Sequence, residues 1–185
     1  MLSNRTFNKL TNNDDITTDW CTSEFITECL CWHNVYRQHH NSPPLTLSPE
    51  LCSYAQEWAN TLAHMNIFFY RPDAKNIGQN IYCRLNVKEP GDVTGQEVAW
   101  YWYKAFRQYN FMGKPNLLHT NSNAGHFTQL IWASSCDIGI GIARSRSGKV
   151  MVVANYRPPG NITGQFKKNV FLPTDEDEKF LKIRH

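Results

Sequence analysis

The chain has no run of basic residues and no long apolar stretch. Its 19 Lys and Arg against 16 Asp and Glu leave a net charge of +3. That charge is spread without a cluster, so no nucleic-acid footprint is expected, and only weak attraction to an anionic membrane surface remains. No segment approaches the ~20 apolar residues that a membrane-spanning helix needs. Charged residues are scarce, at 19%, which excludes a disordered main body. The first residues, Met1 to Asp15, are polar and lack the apolar centre of a secretory leader, and Leu2 excludes the N-myristoylation pattern. The expectation is an intracellular protein, cytoplasmic or peripheral on membranes, with non-classical secretion as the alternative. In that setting the six cysteines, Cys21, Cys29, Cys31, Cys52, Cys83 and Cys136, are expected to be thiols, and the sequons at Asn4 and Asn161 unused. Cys29 and Cys31 sit in a helical pattern with side chains ~200° apart, which argues against a bridge or a zinc pair between them.

What the chain does hold is aromatic residues, 13% of the total with six Trp, eight Tyr and ten Phe, which fill cores and line apolar clefts. A helix is expected over about 23–40, with Phe25, Cys29, Trp32 and Tyr36 at helical spacing, stopped by Asn41-Ser42-Pro43-Pro44. Ser48-Pro49-Glu50 opens a second helix to about His64, with Ser as N-cap and Pro in the first turn. Residues 76–84 read as a strand. Thr94-Gly95-Gln96-Glu97 reads as a capping box opening a third helix through Val98, Trp102, Ala105 and Tyr109. Asp137 to Ala143 alternates Ile138, Ile140 and Ile142 against Gly139 and Gly141, a strand with one thin face where something packs closely. Lys149 to Tyr156 is its hairpin partner. The organisation expected is a polar arm over 1–22, one domain over 23–173 and a charged tail over 174–185. The fold class is α+β: a three-layer α/β/α sandwich around a small, mainly antiparallel sheet.

Three stretches carry a resemblance. They are His33-Asn34-Val35-Tyr36-Arg37 with His40 and Pro43-Pro44-Leu45; Gly125-His126-Phe127-Thr128-Gln129-Leu130-Ile131-Trp132; and Val152 to Ile162, containing Asn155-Tyr156-Arg157-Pro158-Pro159-Gly160-Asn161. Together they resemble the CAP superfamily of cysteine-rich secretory, antigen 5 and pathogenesis-related 1 proteins. Ala154 stands where many secreted members have Cys. The stretches Glu97 to Tyr103 and Tyr109-Asn110-Phe111 are similar to the leaderless branch of that family.

The resemblance implies a cleft in which two His and two Glu hold a divalent ion, usually zinc. Position by position, only His126 matches. Tyr70 falls on the first His, Gln79 on the first Glu, in Gly78-Gln79-Asn80, and Ala105 on the second Glu. A phenol, an amide and a methyl group cannot replace an imidazole and two carboxylates around zinc, so no metal, no cofactor and no catalytic residue is expected. His126 is expected to hydrogen-bond with Tyr70 and Gln79; His64 or His119 are the candidates for rescuing a ligand set. The function implied is non-enzymatic: lipid or sterol binding, or association with a membrane surface, through Phe68, Phe69, Tyr70, Trp100, Tyr101 and Tyr103. Four consecutive aromatics, 100–103, span every direction around a helix, so at least one faces outward or toward a cleft. The alternatives are a protein-interaction module, including a homodimer, and, least favoured, a metal-dependent hydrolase.

Overall fold

The computed structural model describes residues 23–85, 87, 93–112 and 124–174. In chain order these form α1 (Glu24–His39), β1 (Thr46–Leu47), α2 (Pro49–Met65), β2 (Gly78–Arg84), α3 (Gly95–Tyr103) running into a 3₁₀ turn (Lys104–Gln108), α4 (Ala124–Ile131), β3 (Asp137–Arg144), β4 (Val150–Arg157) and the single-turn α5 (Phe166–Asn169). The polar arm, His119 and the tail beyond Thr174 lie outside the described residues.

The sheet has the order β1-β3-β4-β2. β3 and β4 form the expected hairpin and β2 pairs antiparallel with β4. β1 runs parallel to the start of β3; two residues are too few to show the period-2 alternation that reveals a strand.

Alternation divides the core between the two faces. Ile138, Ile140, Val152, Ala154 and Tyr156 pack with α1, α3 and α4 on one side, while Ile81, Met151 and Val153 pack with Ala55, Ala59 and Leu62 of α2 on the other. The thin face of β3 is where α2 lies. A Cβ at Gly139 would stand 2.0 Å from the Leu51 carbonyl carbon, and one at Gly141 2.4 Å from the Gln56 nitrogen.

The helix starts follow their sequence signals in part. Ser48 Oγ accepts from Leu51 N at 3.3 Å, and Thr94 Oγ1 from Glu97 N at 3.1 Å. The capping box is only half made, because the Glu97 carboxylate turns away to Tyr82 and to Arg84, 2.8 Å off. The third helix tightens to 3₁₀ geometry from Lys104, ahead of the expected end at Tyr109.

Arg37 is fully buried, and its guanidinium is solvated by main-chain carbonyls. It donates to those of Pro43, Leu130, Trp132 and Ser135 at 2.7–3.0 Å. It thus ties α1 to the end of α4, where carbonyls have no helical partner. None of the five described cysteines is bridged.

Candidate functional site

His126 sits in the first turn of α4, whose buried side carries Phe127, Leu130 and Ile131. Its surroundings are built by all three family-like stretches. Gly78 lets β2 approach α4: a Cβ there would collide with Gln129 Oε1 at 2.0 Å. Gln129 Oε1 accepts from Gly160 N at 2.8 Å, and Asn161 Nδ2 donates to Gly125 O at 2.9 Å. Asn80 Nδ2 donates to His126 O at 3.0 Å and to Tyr156 Oη at 3.2 Å. Tyr156 in turn donates to His33 Nε2, 2.9 Å away, while His33 Nδ1 donates to Cys29 O at 2.7 Å. A continuous polar chain therefore runs from α1 through the sheet to the backbone of the His126 turn.

Tyr70 Oη lies 3.1 Å from His126 Nε2. This bond forms either with the phenol donating to a bare Nε2 or with an Nε2–H donating to the phenol oxygen. Burial lowers the His126 pKa from 6.5 to about 4, so the ring is neutral at physiological pH. The expected bond between His126 and Gln79 is not among the contacts formed. Gln79 Oε1 accepts from Arg71 N at 2.9 Å and its Nε2 donates to Asn155 Oδ1 at 2.9 Å. Side-chain parity is the reason. On β2, Asn80 and Tyr82 lie on the α4 side of the sheet, and Gln79 and Ile81 on the α2 side. Ala105 is buried and lines a hollow of about 270 Å³ together with His126, Tyr101, Lys104, Arg107 and Gln108.

These donors do not fit the divalent ion that the family resemblance implies. The one imidazole is engaged by a phenol, the amide is spent on both ends, and position 105 has no donor. Among the described residues no three His, Cys, Asp or Glu side chains group together to hold a metal. His64 is exposed and lines a separate hollow with Arg144 to Ser147 of the β3–β4 hairpin.

The six residues named as a lipid or interaction surface separate into two groups. Phe68, Phe69 and Tyr70 are 57%, 46% and 54% exposed, and Met65, three residues before Phe68 in the chain, is 60% exposed. Their loop is pinned from below. Trp58 Nε1 donates to Phe69 O at 3.2 Å, the Phe69 ring meets Trp58 edge-on at 5.3 Å, and the Arg71 guanidinium lies 3.9 Å from the Tyr54 ring centroid while bonding Glu57 and Asp73. The helical aromatics differ. Trp100 and Tyr101 are half-buried, Tyr101 packing edge-on against Tyr82 at 5.0 Å. Tyr103 is fully buried and is removed from the surface set: it stacks on Tyr36 at 4.1 Å and its hydroxyl donates to His40 Nε2 at 3.1 Å.

Sequence reasoning does not reach the Met65 contribution to this ridge or the Lys104 side of the hollow. Met65 is signalled only by its place at the end of an amphipathic helix, and Lys104 only by adjacency to Ala105.

The profile of the Cysteine-rich secretory protein (CAP) family matches residues 32–156. The human Golgi-associated plant pathogenesis-related protein 1 is 37% identical over 155 residues, covering 82% of this chain and 96% of that protein. The basic form of pathogenesis-related protein 1 of Nicotiana tabacum is 29% identical over 155 residues, covering 77% and 81%. Among solved structures, NaASP2 with Zn2+ superposes with a TM-score of 0.63 at 18% identity, covering 85% of this chain and 90% of that one. Venom allergen-like protein 4 of Schistosoma mansoni gives 0.56 at 17% identity, covering 84% and 99%. With the layered sheet and the interlocked motif residues already described, these matches establish that the chain belongs to the CAP family.

Proposed function

We propose that this protein is a non-enzymatic CAP domain that associates with lipid, at a membrane surface or with a sterol, through the ridge of Met65, Phe68, Phe69 and Tyr70. The observation that carries the reading is that these four large apolar side chains, close together in sequence, are 46–60% exposed, on a loop braced by Trp58 and Arg71. A rigid apolar ridge loses little conformational entropy on entering a bilayer, and each partly exposed Phe contributes roughly 1–2 kcal/mol on burial. The name of the human relative, which places that protein at the Golgi, favours a peripheral intracellular location for this one too. A hydrolytic reading has less support: the contact at His126 Nε2 is the neutral Tyr70 phenol, and general-base work needs a positioned partner that tunes the ring.

Flotation with phosphatidylcholine vesicles, with and without cholesterol or phosphatidylinositol, tests this reading. The wild-type chain is expected to float with at least one composition, and F68S/F69S to bind roughly thirty- to several-hundredfold more weakly. Wild-type protein that stays with the soluble fraction in every composition, or a double variant that floats equally well, contradicts it. A shift to dimers without vesicle binding would favour self-association through the same ridge.

A further inference from the structure

Two hydrogen bonds join the aromatic loop to the cleft. Residues 67–71 lie between α2 and β2, outside helix and strand. Several of their bonds run back to α2. Ile67 N donates to Leu62 O at 3.2 Å, Trp58 Nε1 to Phe69 O at 3.2 Å, and Arg71 Nη1 to Glu57 Oε2 at 2.9 Å. These fix the loop to the helix it leaves, not to the rest of the domain. Among the described residues, two side chains bond it to other elements. His126 of α4 meets Tyr70 Oη at 3.1 Å, and Gln79 of β2 accepts from Arg71 N at 2.9 Å. Gln79 is itself anchored, its Nε2 donating at 2.9 Å to Asn155 Oδ1, and Asn155 is fully buried in β4. The amide accepts at one end and donates at the other, which an ionised carboxylate, an acceptor only, cannot do. Tyr70, Gln79 and His126 are three of the four positions to which the family resemblance assigns a metal ligand. Groups that do not fit an ion fit a clamp: a phenol with an imidazole, and an amide with a backbone N–H.

We infer that these positions hold the aromatic loop in place of an ion, with His126 and Gln79 as positioning residues for the ridge. The consequence for lipid rests on the ridge reading above: a loop fixed on both sides loses less freedom on entering a bilayer. The bonds themselves need no lipid, so clamp and ridge are tested apart.

Y70F separates the clamp from simple apolarity, because it removes only the bond to His126 and makes the ridge more apolar. Apolar area alone predicts that Y70F binds vesicles as well as the wild type or better; a clamp predicts weaker binding. The first arm is residue-resolved amide hydrogen exchange of the lipid-free full chain, read at Arg71. Exchange there is expected to be slow in the wild type and roughly two- to tenfold faster in Y70F and in H126F, the range for one lost hydrogen bond. Y70F/H126F should be no faster than either single variant, since both remove the same bond. Q79L, which takes away the acceptor of the Arg71 amide, should be faster still. The second arm is flotation on the vesicles that bind the wild type, where Y70F should bind more weakly by a similar factor. The clamp is disproved if the wild-type Arg71 amide exchanges as in a free peptide, if Y70F leaves its rate unchanged, if the effects of Y70F and H126F simply multiply, or if Y70F loosens the loop yet floats as the wild type does. A wild type that never floats removes the ridge reading, and exchange alone then decides for or against the clamp.

Discussion

Two residues within the family-like stretches act structurally, and both can be tested by single changes. Arg37 is a buried cation solvated by carbonyls rather than by a counter-charge, and burial lowers its pKa to about 10. Arg37→Met would remove the charge and orphan four carbonyls at once. Leaving buried polar groups unpaired is expensive, so equilibrium urea unfolding is expected to show a loss of roughly 3–5 kcal/mol. His33 is fully buried, and desolvation lowers its pKa from 6.5 to about 4, as happens for His126. In the unfolded chain both rings take up a proton near 6.5; in the folded chain they do so only near 4. The unfolded state therefore binds more protons between those values, and stability falls as pH drops through that window and levels off below it. Chemical denaturation between pH 7 and 4 should show this decline, and H33N should flatten part of it. The His33 role was not legible in the sequence, because the motif identifies a family without saying that its His reaches the Tyr156 hydroxyl of β4.

At the level of elements, the thin face of β3 was legible, because glycines alternating with isoleucines along a strand leave one face bare of side chains and the other fully apolar. The structure gives it a cause: α2 lies against the backbone there. Gly139→Ala would push a methyl group into main-chain atoms that cannot rotate away. Thermal unfolding is expected to show a loss of roughly 2–4 kcal/mol, larger than the usual overpacking cost because the obstacle is backbone. The position of Gln79 was not legible, since its facing depends on strand register, and one residue of parity separates Asn80, which touches α4, from Gln79, which does not. Four adjacent aromatics on α3 likewise could not be ranked by exposure from their spacing. Which of them are buried depends on what packs around the helix: Tyr36 of α1 and His40 at its end cover Tyr103, and Trp102 is buried toward β2, donating to Ile81 O. The change from α-helix to 3₁₀ geometry at Lys104 has no local sequence marker, yet it is part of what sets Ala105 and Lys104 around the hollow.

At the level of the whole molecule, the motif residues of three distant segments interlock through Gln129, Asn161, Asn80 and Tyr156, so the scaffold that presents His126 is complete. On the correspondence that the family resemblance implies, Tyr70, Gln79 and Ala105 stand in place of ligands on that scaffold, with Lys104 beside Ala105. The most direct measurement is zinc content by elemental analysis after dialysis, on the wild-type chain and on Y70H/Q79E/A105E. The wild type is expected to retain far less than one zinc per chain and the triple variant to retain more. Stoichiometric zinc in the wild type, lost on H126A, would contradict a cleft that has given up its ion.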